Sequence, residues 1–335
     1  MNDELIKVEK SAEEIITGLA NLKKEIAKVI VGQEEIIDQL LITFLAGGHA
    51  LLEGVPGLAK TLMIRSLSEA IDLRFRRIQF TPDLMPSDII GTEILEEDHT
   101  TGKRIFKFNK GPIFANIILA DEINRTSPKT QSALLEAMQE FEVTYAGTTY
   151  SLERPFFILA TQNPIEQAGT FPLPEAQLDR FLLYIKVGYP TLDEERSILE
   201  NTTGKKGSAI KKVLEGNKIL EAQKLVREVH INNDLIDWVS RIVRATRAEQ
   251  SELKFVNEWV RWGAGPRAGQ AMILTAKARA LLHGNFSVTR EDIQHVAYPV
   301  LRHRILMNFK AEAESVTPTA VTKHLLENIH MKKSI

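Results

Sequence analysis

The sequence predicts an α/β protein with a parallel five-stranded sheet core, followed by a smaller all-helical domain. Two observations predict this class. In the first 190 residues, short apolar runs without polar alternation are separated by helical patterns, which is typical of buried parallel strands with helices on both faces. After Gly188-Tyr-Pro190, helical periodicity dominates. We therefore expect a core domain at residues 1–190 and a linker with a helical domain at 191–335.

The elements of the core are predicted from the period of the apolar residues. Residues 1–47 are predicted to be helical, because apolar residues recur between Ile15 and Ile30 with a period near 3.6. Residues 92–108 contain two strand-like runs around a polar turn with Gly102, which predicts a hairpin. The runs predicted as sheet strands are 50–52, 75–80, 117–120, 156–160 and 181–187.

The second domain shows a different composition. Residues 201–218 are rich in Gly, Ser and Lys, which indicates a linker or an exposed loop. Residues 229–243 and 269–282 have helical patterns. Thr289 with Asp292 three residues later predicts the capped start of a further helix.

Composition excludes several classes of protein. With 44% hydrophobic and 26% charged residues, the chain of 335 residues is not disordered throughout. The absence of cysteine excludes disulfide scaffolds, cysteine–zinc sites, iron–sulfur clusters and thiol catalysis. A net charge of −2 argues against a protein that mainly coats nucleic acid. The start is acidic, and the longest apolar stretch without charge, 39–52, is short for a membrane span, so we expect a cytoplasmic protein without membrane insertion.

Residues 54–62 have the features of a phosphate-binding loop. Gly54-Val-Pro-Gly57-Leu-Ala59-Lys60-Thr61 follows a predicted strand and precedes an amphipathic stretch. In that order, backbone N–H groups and a helix N-terminus face the phosphate. The Lys60 ammonium would reach the outer phosphates, and the Thr61 hydroxyl would ligate Mg²⁺. The predicted cofactor-binding residues are Gly54, Val55, Pro56, Gly57, Leu58, Ala59, Lys60, Thr61 and Leu62.

The loop departs from the usual pattern at one position. Ala59 stands where the common motif has a glycine immediately before the lysine. A left-handed conformation would cost a residue with a Cβ about 1–2 kcal/mol. We therefore expect Ala59 to be right-handed, with Gly57 supplying the flexibility of the loop.

Polar residues follow two of the predicted strands. Asp121 and Glu122 end the third run, at the edge where open α/β sheets place ligand chemistry. Asp121 is predicted to hold Mg²⁺, and Glu122 to polarise the attacking water as general base. Asn163 ends the fourth run; it could position that water, or it could be a turn residue before Pro164. For the acid pair, the alternative is a strand end followed by a solvated turn.

Further motifs follow the phosphate loop along nearly the whole chain. They are Phe80-Thr-Pro-Asp-Leu-Met-Pro-Ser-Asp88, Ala120-Asp-Glu-Ile-Asn-Arg125, Ser132-Ala-Leu-Leu-Glu-Ala-Met-Gln-Glu140, Ala160-Thr-Gln-Asn-Pro164, Pro174-Glu-Ala-Gln-Leu-Asp-Arg-Phe181 and Gly265-Pro-Arg-Ala268. Together with the phosphate loop, these motifs resemble those of the AAA+ ATPases and, within them, of the MoxR family of bacterial and archaeal ATPases. The order and text of the motifs make the resemblance specific, and Ala59 looks normal for this family.

The resemblance implies an ATPase that uses ATP and Mg²⁺. Asn163 looks like sensor 1, Arg267 like sensor 2 in a helical lid, and Arg180 like an arginine finger that acts on nucleotide bound by the neighbouring subunit. Such a finger makes hydrolysis depend on assembly, because it neutralises charge on the transferred phosphate. The family suggests a hexameric ring. From the residues alone, Arg180 could instead pair with Asp179 or Glu175, and Arg267 could be a surface charge.

The resemblance also implies partners. In similar proteins a hairpin interrupts the second core helix at the position of residues 92–108, where it could project into a ring pore and touch a client; the alternative is a surface hairpin without a partner. The function implied is that of a chaperone that remodels or matures a partner protein or inserts a metal cofactor. Proteins with a von Willebrand factor A domain are the partners that the family suggests.

Two other functions remain open on the same core. The first is a nucleic-acid-stimulated motor or regulator, to which Lys103, Arg104 and Lys107 of the hairpin could contribute; salt-sensitive stimulation of ATP hydrolysis by DNA or RNA would identify it. The second is a subunit resembling that of magnesium chelatase. A nucleotide-binding scaffold without turnover is disfavoured, because the acid pair and Asn163 are all present.

Overall fold

A computed structural model describes residues 2–55, 57–97, 104–164, 169–203 and 209–331. Its helices are α1 (Asn2–Ala27), α2 (Glu34–Leu45), α3 (Lys60–Ile71), α4 (Pro86–Ile90), α5 (Pro128–Glu140), α6 (Glu175–Leu178), α7 (Leu192–Thr203), α8 (Gly216–Glu228), α9 (Asn233–Ala245), α10 (Lys254–Trp259), α11 (Pro266–Leu282), α12 (Arg290–Leu301), α13 (Phe309–Ala313) and α14 (Pro318–Asn328). Its strands are β1 (Ala50–Gly54), β2 (Phe75–Gln79), β3 (Gly91–Glu97), β4 (Arg104–Lys110), β5 (Ile117–Asp121), β6 (Glu142–Tyr145), β7 (Thr148–Ser151), β8 (Phe157–Gln162), β9 (Leu183–Val187), β10 (Val260–Trp262) and β11 (Leu306–Met307).

The centre of the core is a five-stranded parallel sheet in the order β2-β5-β8-β1-β9. The five strands are those predicted from the apolar runs, so the fold class is confirmed. Because all five strands run the same way, their carboxyl ends lie at one edge. The order places the end of β8 between the ends of β1 and β5, which brings the phosphate loop, the acid pair and Asn163 to neighbouring positions.

Both faces of the sheet are buried. On one face, side chains such as Leu52, Leu119 and Leu159 join a core that includes α1, α2, α3 and the helices of the second domain. On the other face, Leu51 and Ile158 pack in a second core with α5. Burial on both faces explains why the strands appear in the sequence as continuous apolar runs rather than alternating ones.

Two hairpins extend from the core. The predicted hairpin is formed by β3 and β4, which pair antiparallel directly after the short helix α4; the predicted turn at 98–103 lies outside the described residues. A second hairpin, β6–β7, was not predicted. An aromatic cluster joins the two, in which the Phe108 ring stacks on Tyr150 with centroids 4.4 Å apart and also contacts Phe114 and Tyr145.

The second domain is helical, as predicted, with one addition. The strands β10 and β11 pair antiparallel and join the chain before α11 to the chain after α12. The predicted cap is confirmed, because the Asp292 N–H donates to Thr289 Oγ1 at 3.2 Å and the Thr289 N–H donates to the Asp292 carboxylate at 2.8 Å. The boundary between residues 190 and 191 stays a prediction. Within the described ranges, no helix has the length and apolarity needed to cross a bilayer.

Candidate functional site

A cavity of about 440 Å³ lies at the carboxyl edge of the sheet. We call it the phosphate-loop cavity. The ends of β1, β5 and β8 bring to it residues that are more than 60 positions apart in the sequence. Its lining residues are Gly57, Ala59, Lys60, Thr61, Leu62, Arg77, Asp121, Glu122 and Asn163.

The phosphate loop connects β1 directly to α3. A Cβ at Gly54 would lie 2.9 Å from Val187 Cβ on the neighbouring strand, so close packing requires a glycine there. Gly57 has a φ of +86°, and a Cβ on it would meet nothing within 4 Å. The Lys60 ammonium donates to the Gly54 carbonyl at 2.7 Å, which ties the first residue of α3 to the start of the loop.

The other predicted loop residues divide between the cavity and the core. Thr61 and Leu62 line the cavity with Lys60, so the N-terminal turn of α3 faces it. Leu58 instead packs, partly buried, against the hydrophobic core. Val55 is not among the lining residues, and Pro56 lies outside the described residues.

The expectation for Ala59 is wrong. Ala59 has φ 54° and ψ 19°, in the left-handed region, and Gly57 is left-handed as well. Ala59 is the residue before α3, and its carbonyl accepts the Met63 N–H at 2.9 Å to start the helix. The chain therefore reverses from loop to helix with a positive φ at both Gly57 and Ala59. The freedom of Gly57 does not allow Ala59 to be right-handed.

The environment of Lys60 links the loop to the acid pair. Burial lowers the pKa of the Lys60 ammonium, and the Asp121 and Glu122 carboxylates oppose that shift by raising it. These three charges thus interact across the cavity, as expected if strand ends converge on one phosphate. A cation with two carboxylates nearby can hold a polyphosphate and a divalent cation together.

Asp121 is oriented by two residues that the sequence did not single out. The Arg77 guanidinium donates to Asp121 Oδ2 from Nη2 at 2.6 Å and from Nε at 3.1 Å. The buried Thr161 hydroxyl donates to Asp121 Oδ1 at 2.6 Å. Arg77 lies on β2 and Thr161 on β8, the two neighbours of β5. The motif Ala160-Thr-Gln-Asn-Pro164 contained Thr161, but only the strand order shows that it faces Asp121.

Glu122 has a left-handed backbone, with φ 59°. Its N–H donates to the Thr161 hydroxyl at 2.9 Å, so one side chain fixes both acids. Glu122 Oε2 accepts from Gln79 Nε2 at 3.0 Å and from Arg125 Nη1 at 2.9 Å. A left-handed residue other than glycine is uncommon and is tolerated where the surroundings hold it, often at functional sites.

The oxygen ligands of the cavity fit magnesium. Thr61 and Asp121 supply a hydroxyl and a carboxylate, and Mg²⁺ usually takes one or two such protein ligands together with phosphate oxygens and water. Within the described ranges, no group of three or more His, Cys, Asp or Glu could hold a metal ion by itself. The residues therefore fit a cation that arrives with a polyphosphate. Asn163, 5% exposed, lines the same cavity after β8.

The two predicted arginines lie elsewhere. Arg180 and Arg267 line a second cavity of about 330 Å³, here called the arginine cavity, which shares no lining residue with the first. Arg180 Nη1 donates to the Leu135 carbonyl at 2.8 Å. Asp179 does not pair with Arg180 as one alternative proposed; it accepts from Arg304 Nε at 2.7 Å and from Arg267 Nη1 at 3.5 Å.

Two family models match this chain. Residues 49–183 match the ATPase family associated with various cellular activities (AAA), and residues 254–325 match the AAA lid domain. The first match covers the phosphate loop, the acid pair and Arg180, and the second covers Arg267. The sheet, the loop and the lid thus define an ATPase of the AAA+ class.

Similar proteins identify the family within the AAA+ class. Chaperone MoxR1 of Mycobacterium tuberculosis is 43% identical over 306 residues, which cover 91% of this chain and 80% of that protein. YeaC of Bacillus subtilis is 41% identical over 312 residues, which cover 93% of this chain and 94% of that protein. A crystal structure of a Cytophaga hutchinsonii protein assigned as an ATPase superposes with a TM-score of 0.91 at 42% identity, over 98% of this chain and 99% of that one. The chain belongs to the MoxR family of AAA+ ATPases.

Proposed function

We propose that this chain binds ATP with Mg²⁺ in the phosphate-loop cavity and hydrolyses it. One observation carries the proposal: Lys60, Thr61, Asp121, Glu122 and Asn163, which come from the start of one helix and the ends of two strands, line a single cavity. Phosphoryl transfer needs positioning and charge stabilisation more than covalent chemistry, and these groups supply both.

Each residue has a distinct task. The loop at 54–62 and the first turn of α3 bind the phosphates, with Lys60 on the outer ones. Thr61 and Asp121 hold Mg²⁺, which when bound neutralises charge on the phosphates. Glu122 accepts the proton of the attacking water, and Asn163 orients that water. Thr161 keeps both acids in place from the neighbouring strand.

Arg180 and Arg267 act on the nucleotide of a neighbouring subunit. Support comes from their position, because both line the arginine cavity and neither lines the phosphate-loop cavity of their own chain. A finger supplied in trans requires head-to-tail contacts between copies, and such contacts close into rings. The ring is a hexamer, in keeping with the family, and hydrolysis is coupled to assembly.

The work of the ring is the remodelling or maturation of a partner protein in the cytoplasm. The relative from Mycobacterium tuberculosis is named a chaperone, which supports this role. A client with a von Willebrand factor A domain is the partner that the family suggests, and insertion of a metal cofactor into such a client is a variant of the same function. Pull-down with Glu122→Gln in the presence of ATP tests it, because a trapped client is then retained.

Phosphate release by the purified protein with ATP and Mg²⁺ tests the site itself. Lys60→Ala removes the charge that holds the outer phosphates, so turnover falls to background. Lys129→Ala changes an exposed lysine on α5 and serves as the matched control, with turnover like that of the unmodified protein. Normal turnover by Lys60→Ala would contradict the assignment.

A further inference from the structure

Three consecutive residues after α12, Arg302-His303-Arg304, attach the lid to the core. Arg302 Nη1 donates to the Tyr184 carbonyl on β9 at 2.7 Å. The His303 ring nitrogen Nε2 lies 3.0 Å from the Phe181 carbonyl, and its ring stacks on Tyr184. The segment therefore contacts the edge strand of the sheet and the turn that precedes it.

Arg304 and His303 are both buried, and Arg304 makes the most contacts to the core. Its side chain is 4% exposed, yet all five of its N–H groups have acceptors. Nε donates to Asp179 Oδ1 at 2.7 Å, and Nη2 donates to the carbonyls of Phe181 at 2.8 Å and Asp179 at 3.4 Å. Nη1 donates to the carbonyls of Val300 at 2.7 Å and Leu182 at 3.2 Å. Apart from Val300, every acceptor belongs to residues 179–182.

Arg180 is one of the residues of this segment, 179–182. The guanidinium of Arg304 thus holds the backbone on both sides of that arginine, and the Asp179 carboxylate that it orients also contacts Arg267. Burial lowers the pKa of the Arg304 guanidinium, and the ion pair with Asp179 opposes that shift. Replacing the planar guanidinium of Arg304 by any other side chain leaves buried carbonyl groups without hydrogen-bond donors.

We propose that Arg304 is a positioning residue that aims Arg180, through the backbone of residues 179–182, at the nucleotide of the neighbouring subunit. The inference rests on the proposed function, because it assumes that Arg180 acts in trans. Since Arg304 lies in the lid, movement of the lid shifts Arg180 and Arg267 together. The lid of one subunit then controls hydrolysis in the next.

The expected phenotype separates binding from turnover. Arg304→Lys keeps the positive charge, but an ammonium group cannot donate to five acceptors. Arg180 is then no longer held in position, while the phosphate-loop cavity of the same chain stays intact. Misplacement of a reacting group by about 1 Å costs up to roughly 100-fold in rate, so kcat falls about 10- to 100-fold. The Kd of ATP, measured on the same preparation, changes less than about twofold, because the substitution leaves the residues that bind ATP in the same chain unchanged.

Mixed rings provide the decisive test. Arg304→Lys is mixed with Lys60→Ala, which binds no outer phosphate but keeps Arg180 in place. An Arg304→Lys subunit beside a Lys60→Ala neighbour receives an intact finger, so hydrolysis returns, to about a quarter of normal for random 1:1 mixing around closed rings. Asp179→Asn, which removes the ion pair at a partly exposed carboxylate, gives the same rescue if Arg304→Lys does not fold.

Controls make the outcomes distinguishable. Arg180→Ala mixed with Lys60→Ala tests the trans finger alone. If that pair recovers activity and the Arg304→Lys pair does not, the role of Arg304 is overturned; if neither recovers, the trans assignment in the proposed function is overturned as well. Arg279→Lys removes a partly buried arginine whose ion pairs, with Asp292 and Glu291, stay within the lid; it keeps normal kcat per folded subunit.

Discussion

Ala59 provides a sharp test of the loop geometry, because it is left-handed despite its Cβ. Ala59→Gly removes a strain of about 1–2 kcal/mol. Glycine has more freedom in the unfolded chain, which costs about 0.4–1 kcal/mol in return. The folded state should therefore gain about 1 kcal/mol, and Tm should rise by about 1–3 °C for a chain of this size.

The assay is thermal unfolding by circular dichroism, with urea unfolding as a second measure. Ala20→Gly is the matched control, since Ala20 is exposed in the interior of helix α1 and the same substitution there should destabilise by about 0.5–1 kcal/mol. The two substitutions thus have opposite signs. If Ala59→Gly lowers stability as Ala20→Gly does, Ala59 is not left-handed in solution and the reasoning on this loop is refuted.

Other predictions concern the acid pair, the buried histidines and the hairpin. Thr161→Val removes the hydroxyl bonded to both Asp121 and Glu122, so kcat for ATP should fall about 10- to 100-fold with little loss of folding; unchanged turnover would argue against its role. Burial lowers the pKa of His49 to about 4 and that of His303 well below its usual range. The unfolded chain binds those protons at about pH 6.5, so the stability that these histidines contribute is fully present above that pH and is lost as pH falls below it. For His49 the loss should be about 1.4 kcal/mol per pH unit down to about pH 4. In urea unfolding at pH 7 and pH 5, His49→Gln should show a smaller pH dependence than the unmodified protein; an unchanged dependence would show that His49 does not contribute. DNA or RNA should leave ATP hydrolysis unchanged, because the acids of β3 (Glu93, Glu96 and Glu97) balance the cations of β4 (Arg104, Lys107 and Lys110); salt-sensitive stimulation would favour a nucleic-acid motor.

The elements that could be predicted are those specified by local pattern. Apolar runs such as 117–120 and 156–160 identified buried strands, because both faces of the sheet are covered. The position of the acids and Asn163 followed, since the ends of parallel strands share an edge. The short strands β6 and β7 were missed because four residues each carry too little periodicity to identify.

The remaining parts of the site depend on distant partners. Thr161 contacts Asp121 only because β8 lies beside β5, and no local pattern contains that order. Arg304 lies in the turn after α12, and its acceptors on residues 179–182 lie more than 100 positions away in the sequence. The left-handed conformation of Ala59 was not predicted for another reason. Its cost can be estimated from the residue alone, but the need for it depends on the path of the whole loop.

The central claim is that Glu122 acts on nucleotide held by Lys60 and its neighbours. Parallel measurement of ATP binding by calorimetry and of phosphate release for Glu122→Gln tests it most directly, with Glu140→Gln as an exposed control. The account predicts ATP affinity like that of the unmodified protein, with phosphate release reduced at least about 100-fold. Phosphate release at the unmodified rate, or no ATP binding by the unmodified protein, would contradict it.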